Sequence, residues 1–163
     1  MKGFLLDSNI FINANRHYRR MYFPIVWHFF EQTPEIYMLD RVFDEISGLG
    51  DDLSDWAKSY YRDKQIIADQ YIDTYSEVAN YLTTTNNWTA AGYSQWTDDY
   101  SKADPWLIAC AKQEEYAIVT DERNTGPNGK ATANEPKIPF VAQALGVQTV
   151  DFWKFLDLEH FRA

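Results

Sequence analysis

Near the N-terminus, Phe4 to Ile12 reads Phe-Leu-Leu-Asp-Ser-Asn-Ile-Phe-Ile: apolar, then an acid and two small polar residues, then apolar again. A short apolar run without alternation reads as a strand buried on both faces, the pattern of a parallel sheet. Its terminal acid, Asp7, is then delivered to the rim at the strand's carboxyl end, where open α/β sheets place their sites. Any other acid with a role should also lie where a strand ends or a helix begins. Asp44-Glu45, Asp104 and Asp121-Glu122 do so.

The rest of the chain alternates in the same way. Ile10 to Asn13 begin a helix, followed by the basic segment Arg16-His17-Tyr18-Arg19-Arg20, and a second helix starts at Pro24 with proline in its first turn. Ile36 to Leu39 form a second strand, and Asp40 caps a helix that carries Asp44 and Glu45 and ends at Gly48. From Asp51 to about Thr85 the spacing of Trp56, Tyr60, Ile67, Tyr71, Ile72, Tyr75, Val78 and Leu82 predicts two helices whose aromatic stripe packs as core and lid. Another helical stretch runs from about Ala90 to Tyr100. Asp104-Pro105 opens a strong helix with the acid in the N-cap position. Tyr116 to Thr120 is a third strand, Arg123 to Pro136 a loop, and Ile138 to Leu145 a helix. A last strand, Val147 to Val150, and a closing helix, Phe152 to Leu156, complete the chain. Alternating strands and helices imply an α/β fold: one parallel sheet with helices on both faces, in a single domain spanning 1–163.

Composition limits what such a domain does. Hydrophobic content of 45% and aromatic content of 17% fit a packed globule and exclude disorder. A net charge of −9 excludes binding of nucleic acid by bulk positive field, although divalent ions can invert the sign of a local acidic site. The single cysteine, Cys110, reads as a core filler in a reducing compartment. The N-terminus does not read as a signal peptide, and no apolar run approaches the about 20 residues of a membrane span. A cytoplasmic location without membrane contact is expected.

Four acidic positions on separate segments repel one another when gathered, unless something neutralises them. Oxygen-rich sets of this kind suit Mg²⁺ or Mn²⁺. His17, His28 and His160 are scattered without the short spacing of a zinc site. Taken singly, each acid also has an ordinary role: Asp7 or Asp104 as a helix cap, Glu45 as a solvated helix residue, Asp121 and Glu122 as turn residues. Gly126 to Thr132 fails the spacing of a phosphate-binding loop. A haloacid-dehalogenase-like phosphatase would repeat an Asp two residues after the first, where Asn9 stands.

Four segments, in this order, carry a resemblance: Leu5-Leu6-Asp7-Ser8-Asn9-Ile10, Val42-Phe43-Asp44-Glu45-Ile46, Ala103-Asp104-Pro105-Trp106-Leu107-Ile108-Ala109, and Ala117-Ile118-Val119-Thr120-Asp121-Glu122. Together they resemble the PIN-domain ribonuclease family, particularly the toxins of type II toxin–antitoxin systems. The resemblance implies a three-layer α/β/α PIN-like fold, to which this chain adds its aromatic-rich helical middle. It implies a Mg²⁺- or Mn²⁺-dependent endoribonuclease in which metal-activated water attacks an RNA phosphodiester. Asp7, Asp104 and a fourth acid would be metal ligands, Glu45 would hold a metal or orient the water, and Ser8 and Asn9 would help orient the site. For the fourth acid, the family's Thr-x-acid spacing selects Glu122, whereas Asp121 lies nearest the strand end; both are retained, Asp121 first. Arg16, Arg19 and Arg20 are candidates to grip RNA phosphates, with Arg123 and Lys130 as weaker ones. A cognate antitoxin is the implied partner, and homodimerisation is common in the resembled family. A PIN-like module that binds RNA or protein without cleaving is the alternative.

Overall fold

The computed structural model describes residues 1–124 and 133–163. Its centre is β1 (Phe4–Leu6), which pairs in parallel with β2 (Ile36–Leu39) on one side and β4 (Ala117–Val119) on the other. The short strands β3 (Gln65–Ile66) and β5 (Thr149–Val150) complete a five-stranded sheet of order β3-β2-β1-β4-β5, with every pairing parallel. Helices flank the sheet, giving the expected three-layer α/β/α fold. Leu5, Leu6, Met38, Leu39, Ile118 and Val119 are all fully buried. That is why these runs lack a polar alternation: a central parallel strand meets helices on both faces.

The helices are α1 (Ser8–His17), α2 (Pro24–Gln32), α3 (Asp40–Ser47), α4 (Asp52–Tyr60), α5 (Ile72–Thr84), α6 (Ala90–Thr97), α7 (Ala103–Glu114), α8 (Ile138–Ala144) and α9 (Phe152–Leu158). From β1 the chain moves outward to β2 and β3, then returns to the other side of β1 as β4 and goes on to β5. The topological switch point therefore lies at the carboxyl ends of β1 and β4, where an open α/β sheet leaves a crevice. The Asp7 backbone N–H donates to the Val119 carbonyl at 2.9 Å, fastening those two strand ends together.

The aromatic middle region packs largely as core. Trp56 meets Trp27 with ring centroids 4.9 Å apart and donates its indole N–H to Glu31 at 2.9 Å. Tyr75, on α5, stacks on Trp106, on α7, at 4.2 Å. Two uninterrupted helices do not fill this region, however. A turn after α4 leads into β3, which extends the sheet by pairing Met38 with Gln65. Ile67 and Ile72, placed on the buried stripe by their spacing, are half exposed as a result.

Two expected caps are corrected as well. Lys102 occupies the N-cap place of α7, and Asp104 sits in its first turn without a capping bond. Leu39 precedes α3, and Asp40 instead turns its buried carboxylate to the N–H groups of Arg41 and Ala68, at 2.7 and 3.2 Å. Buried Cys110 sits in α7, where burial pushes its thiol up to about 12. Gly126 to Thr132, and Lys130 among them, fall within or overlap residues outside the described part of the chain.

Candidate active site

Asp7 follows β1 directly and immediately precedes the N-terminus of α1. It is only 5% exposed, and its carboxylate makes no cap bond to α1. Instead it accepts the Thr120 hydroxyl at 2.9 Å from the end of β4, with the Ser8 hydroxyl at 3.5 Å. Thr120, itself buried, is the hub of this corner. Its oxygen accepts Asn9 Nδ2 at 3.4 Å and the Glu122 backbone N–H at 3.1 Å while its proton goes to Asp7. In the sequence Thr120 carries no role of its own, and its one signal there is the Thr-x-acid step to Glu122.

Asp104 enters from the first turn of α7, and its side chain is 15% exposed. Burial, then the charge of Asp7, push its carboxyl up to about 7, with Glu122 and Glu45 adding to the rise. Asp7 is pushed up to about 6, chiefly by burial, with Glu122 and Glu45 contributing and the Thr120 hydrogen bond working against the rise. Glu122 is also raised by burial, although the Ile138 N–H at 2.7 Å and Lys137 at 3.6 Å favour its ionised form. Glu45 lies exposed on α3, and its charge is felt by both buried aspartates. The expected residues Asp7, Asp104, Glu122 and Glu45 thus share one electrostatic environment.

Asp121, ranked first for the fourth position, stands apart. It is exposed, and its carboxylate accepts the Phe152 N–H of α9 at 3.2 Å, while its own N–H donates to Asn9 Oδ1 at 3.4 Å. The main causes of the Asp7 and Asp104 shifts are burial and other charges, Glu122 and Glu45 among them, and not Asp121. Successive residues leaving a strand point to opposite sides, so of the adjacent acids Glu122 turns toward the buried pair. Arg16, Arg19 and Arg20 are exposed at and just beyond the far end of α1, a helix about 15 Å long, so they do not reach the acids. Arg123 lines a cleft of about 540 Å³ beside Thr120, Asp121 and Glu122. His17, His28 and His160 are exposed and scattered.

Two lysines complete the site. Lys102 lies 3.6 Å from Asp104 and 4.0 Å from Glu135, and Lys137 lies 3.6 Å from Glu122 and 3.3 Å from Glu135. Burial lowers the Lys102 pKa, but Asp104, Glu135 and Glu45 more than offset this and hold the ammonium above its usual range. Neither lysine had a sequence signal, because each becomes relevant only when α7 and α8 meet the strand ends. Among the described residues, no group of three or more His, Cys, Asp or Glu side chains is already disposed to hold a metal ion. The donor set nevertheless fits a hard divalent cation in its chemistry: carboxylate oxygens from separate segments, with Asp7 and Asp104 raised in pKa by burial and Asp104 raised further by the charge of Asp7. No helix is long and apolar enough to cross a membrane, among the described residues.

No curated protein matches this chain. Residues 4–163 match the family described as "Domain of unknown function (DUF4411)", and the chain belongs to that family.

Proposed function

We propose that this protein is a divalent-metal-dependent endoribonuclease of PIN-like architecture, acting in the cytoplasm as the toxin of a type II toxin–antitoxin pair. The observation that carries the reading is the gathering of acids from separate segments at the switch point: Asp7, buried, and Asp104, its side chain 15% exposed, each raised in pKa and each sensing Glu122 and Glu45. Burying like charges together costs stability, and a site keeps that cost where function uses it. Bound by Asp7, Asp104 and Glu122, Mg²⁺ or Mn²⁺ would supply a water of low pKa and neutralise charge on a phosphoryl oxygen.

The chain's own residues do the remaining work. Thr120 fixes the Asp7 carboxylate in one orientation, and Asn9 fixes Thr120 in turn. Lys102 and Lys137 balance Asp104 and Glu122, and compensate part of the repulsion when no cation is bound. Glu45 is assigned the orientation of the attacking water. An antitoxin presenting Arg or Lys side chains would complement the net charge of −9 and cover the carboxylates. Homodimerisation belongs to the same proposal.

Cleavage of a mixed RNA pool by purified, antitoxin-free protein tests the reading, with Mg²⁺, Mn²⁺ or chelator, beside Asp104→Asn. Metal-dependent cutting that disappears in the variant is the expected result. Folded protein that cuts under neither metal but retains RNA would instead be a PIN-like binding module.

A further inference from the structure

Trp153 is the most exposed tryptophan of the chain, at 63%, whereas Trp27, Trp56, Trp96 and Trp106 are fully or almost fully buried. It stands where two depressions meet. The cleft of about 540 Å³ runs from Thr120, Asp121 and Glu122 to Trp153. A groove of about 230 Å³ continues from Trp153 and Asp121 along α1, past Asn13, to His17 and Tyr18. The floor of that groove is a row of rings: Trp153 to Phe152 at 5.7 Å, Phe152 to Tyr18 at 6.4 Å, and Tyr18 to His17 at 6.5 Å.

The indole is carried on a firmly held turn. Asp121 accepts the Phe152 N–H at 3.2 Å and Asp151 accepts the Lys154 N–H at 2.7 Å, so the first turn of α9 is bound on both sides of Trp153. Asp121 thereby couples the segment bearing Glu122 to the turn bearing the indole. Beyond the far end of the groove, Arg16, Arg19 and Arg20 flank His17 and Tyr18 in the chain. All three are exposed, and none forms an ion pair with a described residue.

We infer that the groove between α1 and α9 is a track for single-stranded RNA, in which Trp153 stacks a base next to the acidic site and Arg16, Arg19 and Arg20 hold phosphates further along the strand. This rests on the ribonuclease reading for the choice of RNA. Stacking needs an exposed, rigid ring, and it is sequence-tolerant because every base has a π-face. The arginines concentrate positive charge on this acidic protein at the end of the track away from the carboxylates. A duplex cannot use the indole, because its bases are already stacked on one another.

The test is equilibrium binding of a fluorescent 12-nucleotide single-stranded RNA to full-length wild-type protein, W153A, W153F and the triple variant R16A/R19A/R20A. It is run in chelator and again with Ca²⁺, with circular dichroism confirming that each variant is folded. Expected are a loss of about 5–150-fold in W153A, substantial recovery in W153F, and quenching of indole emission by RNA in wild type that W153F lacks. The triple variant should weaken binding and reduce the slope of log affinity against log salt by about 2, whereas W153A should lower affinity at unchanged slope. Affinity in folded W153A equal to that of wild type overturns the inference and leaves the indole to a protein partner. Absence of single-strand binding by wild type, or an equal loss for duplex RNA in W153A, overturns it too. Trp153-dependent binding without cleavage under any metal would sink the nuclease reading while leaving the track standing.

Discussion

The Thr120 hydroxyl donates to the Asp7 carboxylate at 2.9 Å, joining the ends of β4 and β1 across 113 positions of sequence. This bond is the main influence holding the Asp7 pKa down against the effect of burial. Thr120→Val removes the donor and also the acceptor used by the Glu122 N–H, at a cost of about 1–3 kcal/mol. With the bond gone, Asp7 stays protonated to higher pH. The acid limb of the pH–rate profile for RNA cleavage should move upward, and the rate near pH 6.5 should fall at least about tenfold. Thr120→Ser should keep the limb in place; an unshifted limb in the valine variant would remove Thr120 from the site.

Stability of the metal-free protein should fall as pH rises from about 4 to above 7. Asp7 and Asp104 are raised from 3.8 to about 6 and about 7, so in that window the folded state holds protons that the unfolded state has released. The stabilising contribution is complete below the unfolded pKa and is lost as pH passes through the folded values. Asp104→Asn removes one of the charges and should raise the midpoint of thermal unfolding at pH 7.5 by about 3–6 °C, on the order of 1–2 kcal/mol. Added Mn²⁺ should stabilise wild type and have little effect on this variant. Thermal scans at pH 5 and 7.5 decide it: a midpoint that rises with pH would contradict the assignment.

Glu122 and Asp121 are separated by a single comparison. Glu122→Gln should weaken Mn²⁺ binding by more than about tenfold, since a carboxylate contributing to the charge around Asp7 and Asp104 is lost. Asp121→Asn should change metal affinity by less than about twofold, because its carboxylate is spent on the Phe152 N–H. Isothermal titration calorimetry gives both numbers, and the reverse order would restore Asp121 as the fourth acid.

Asp40 belongs to the scaffold. It is buried, pairs with Arg41 at 3.1 Å and accepts the Ala68 N–H at 3.2 Å, which ties the segment after β3 to the start of α3. Asp40→Ala leaves that buried N–H unpaired and the guanidinium with one fewer partner, so unfolding in urea should show a loss of about 2–3 kcal/mol. A variant as stable as wild type would mean that water satisfies the Ala68 N–H.

The sequence by itself determined the layered architecture, because its signals are local. Phe4–Leu6 as a strand, Asp7 at its end, proline near the start of α2, and the apolar run of α7 each follow from neighbouring residues through burial and backbone preference. It also singled out Asp7, Glu45 and Asp104, with Asp121 ahead of Glu122 for the fourth position. Tertiary structure alone decided the rest. β3 exists because a two-residue segment finds the free edge of β2, a long-range pairing that its own composition does not announce. Asp121 and Glu122 are chemically similar neighbours, and only the direction in which the chain leaves β4 sends one to α9 and the other toward Asp7 and Asp104. Lys102, Lys137 and Thr120 acquire their partners the same way. Such contacts depend on where separate segments meet in space, and local preference carries no record of that meeting.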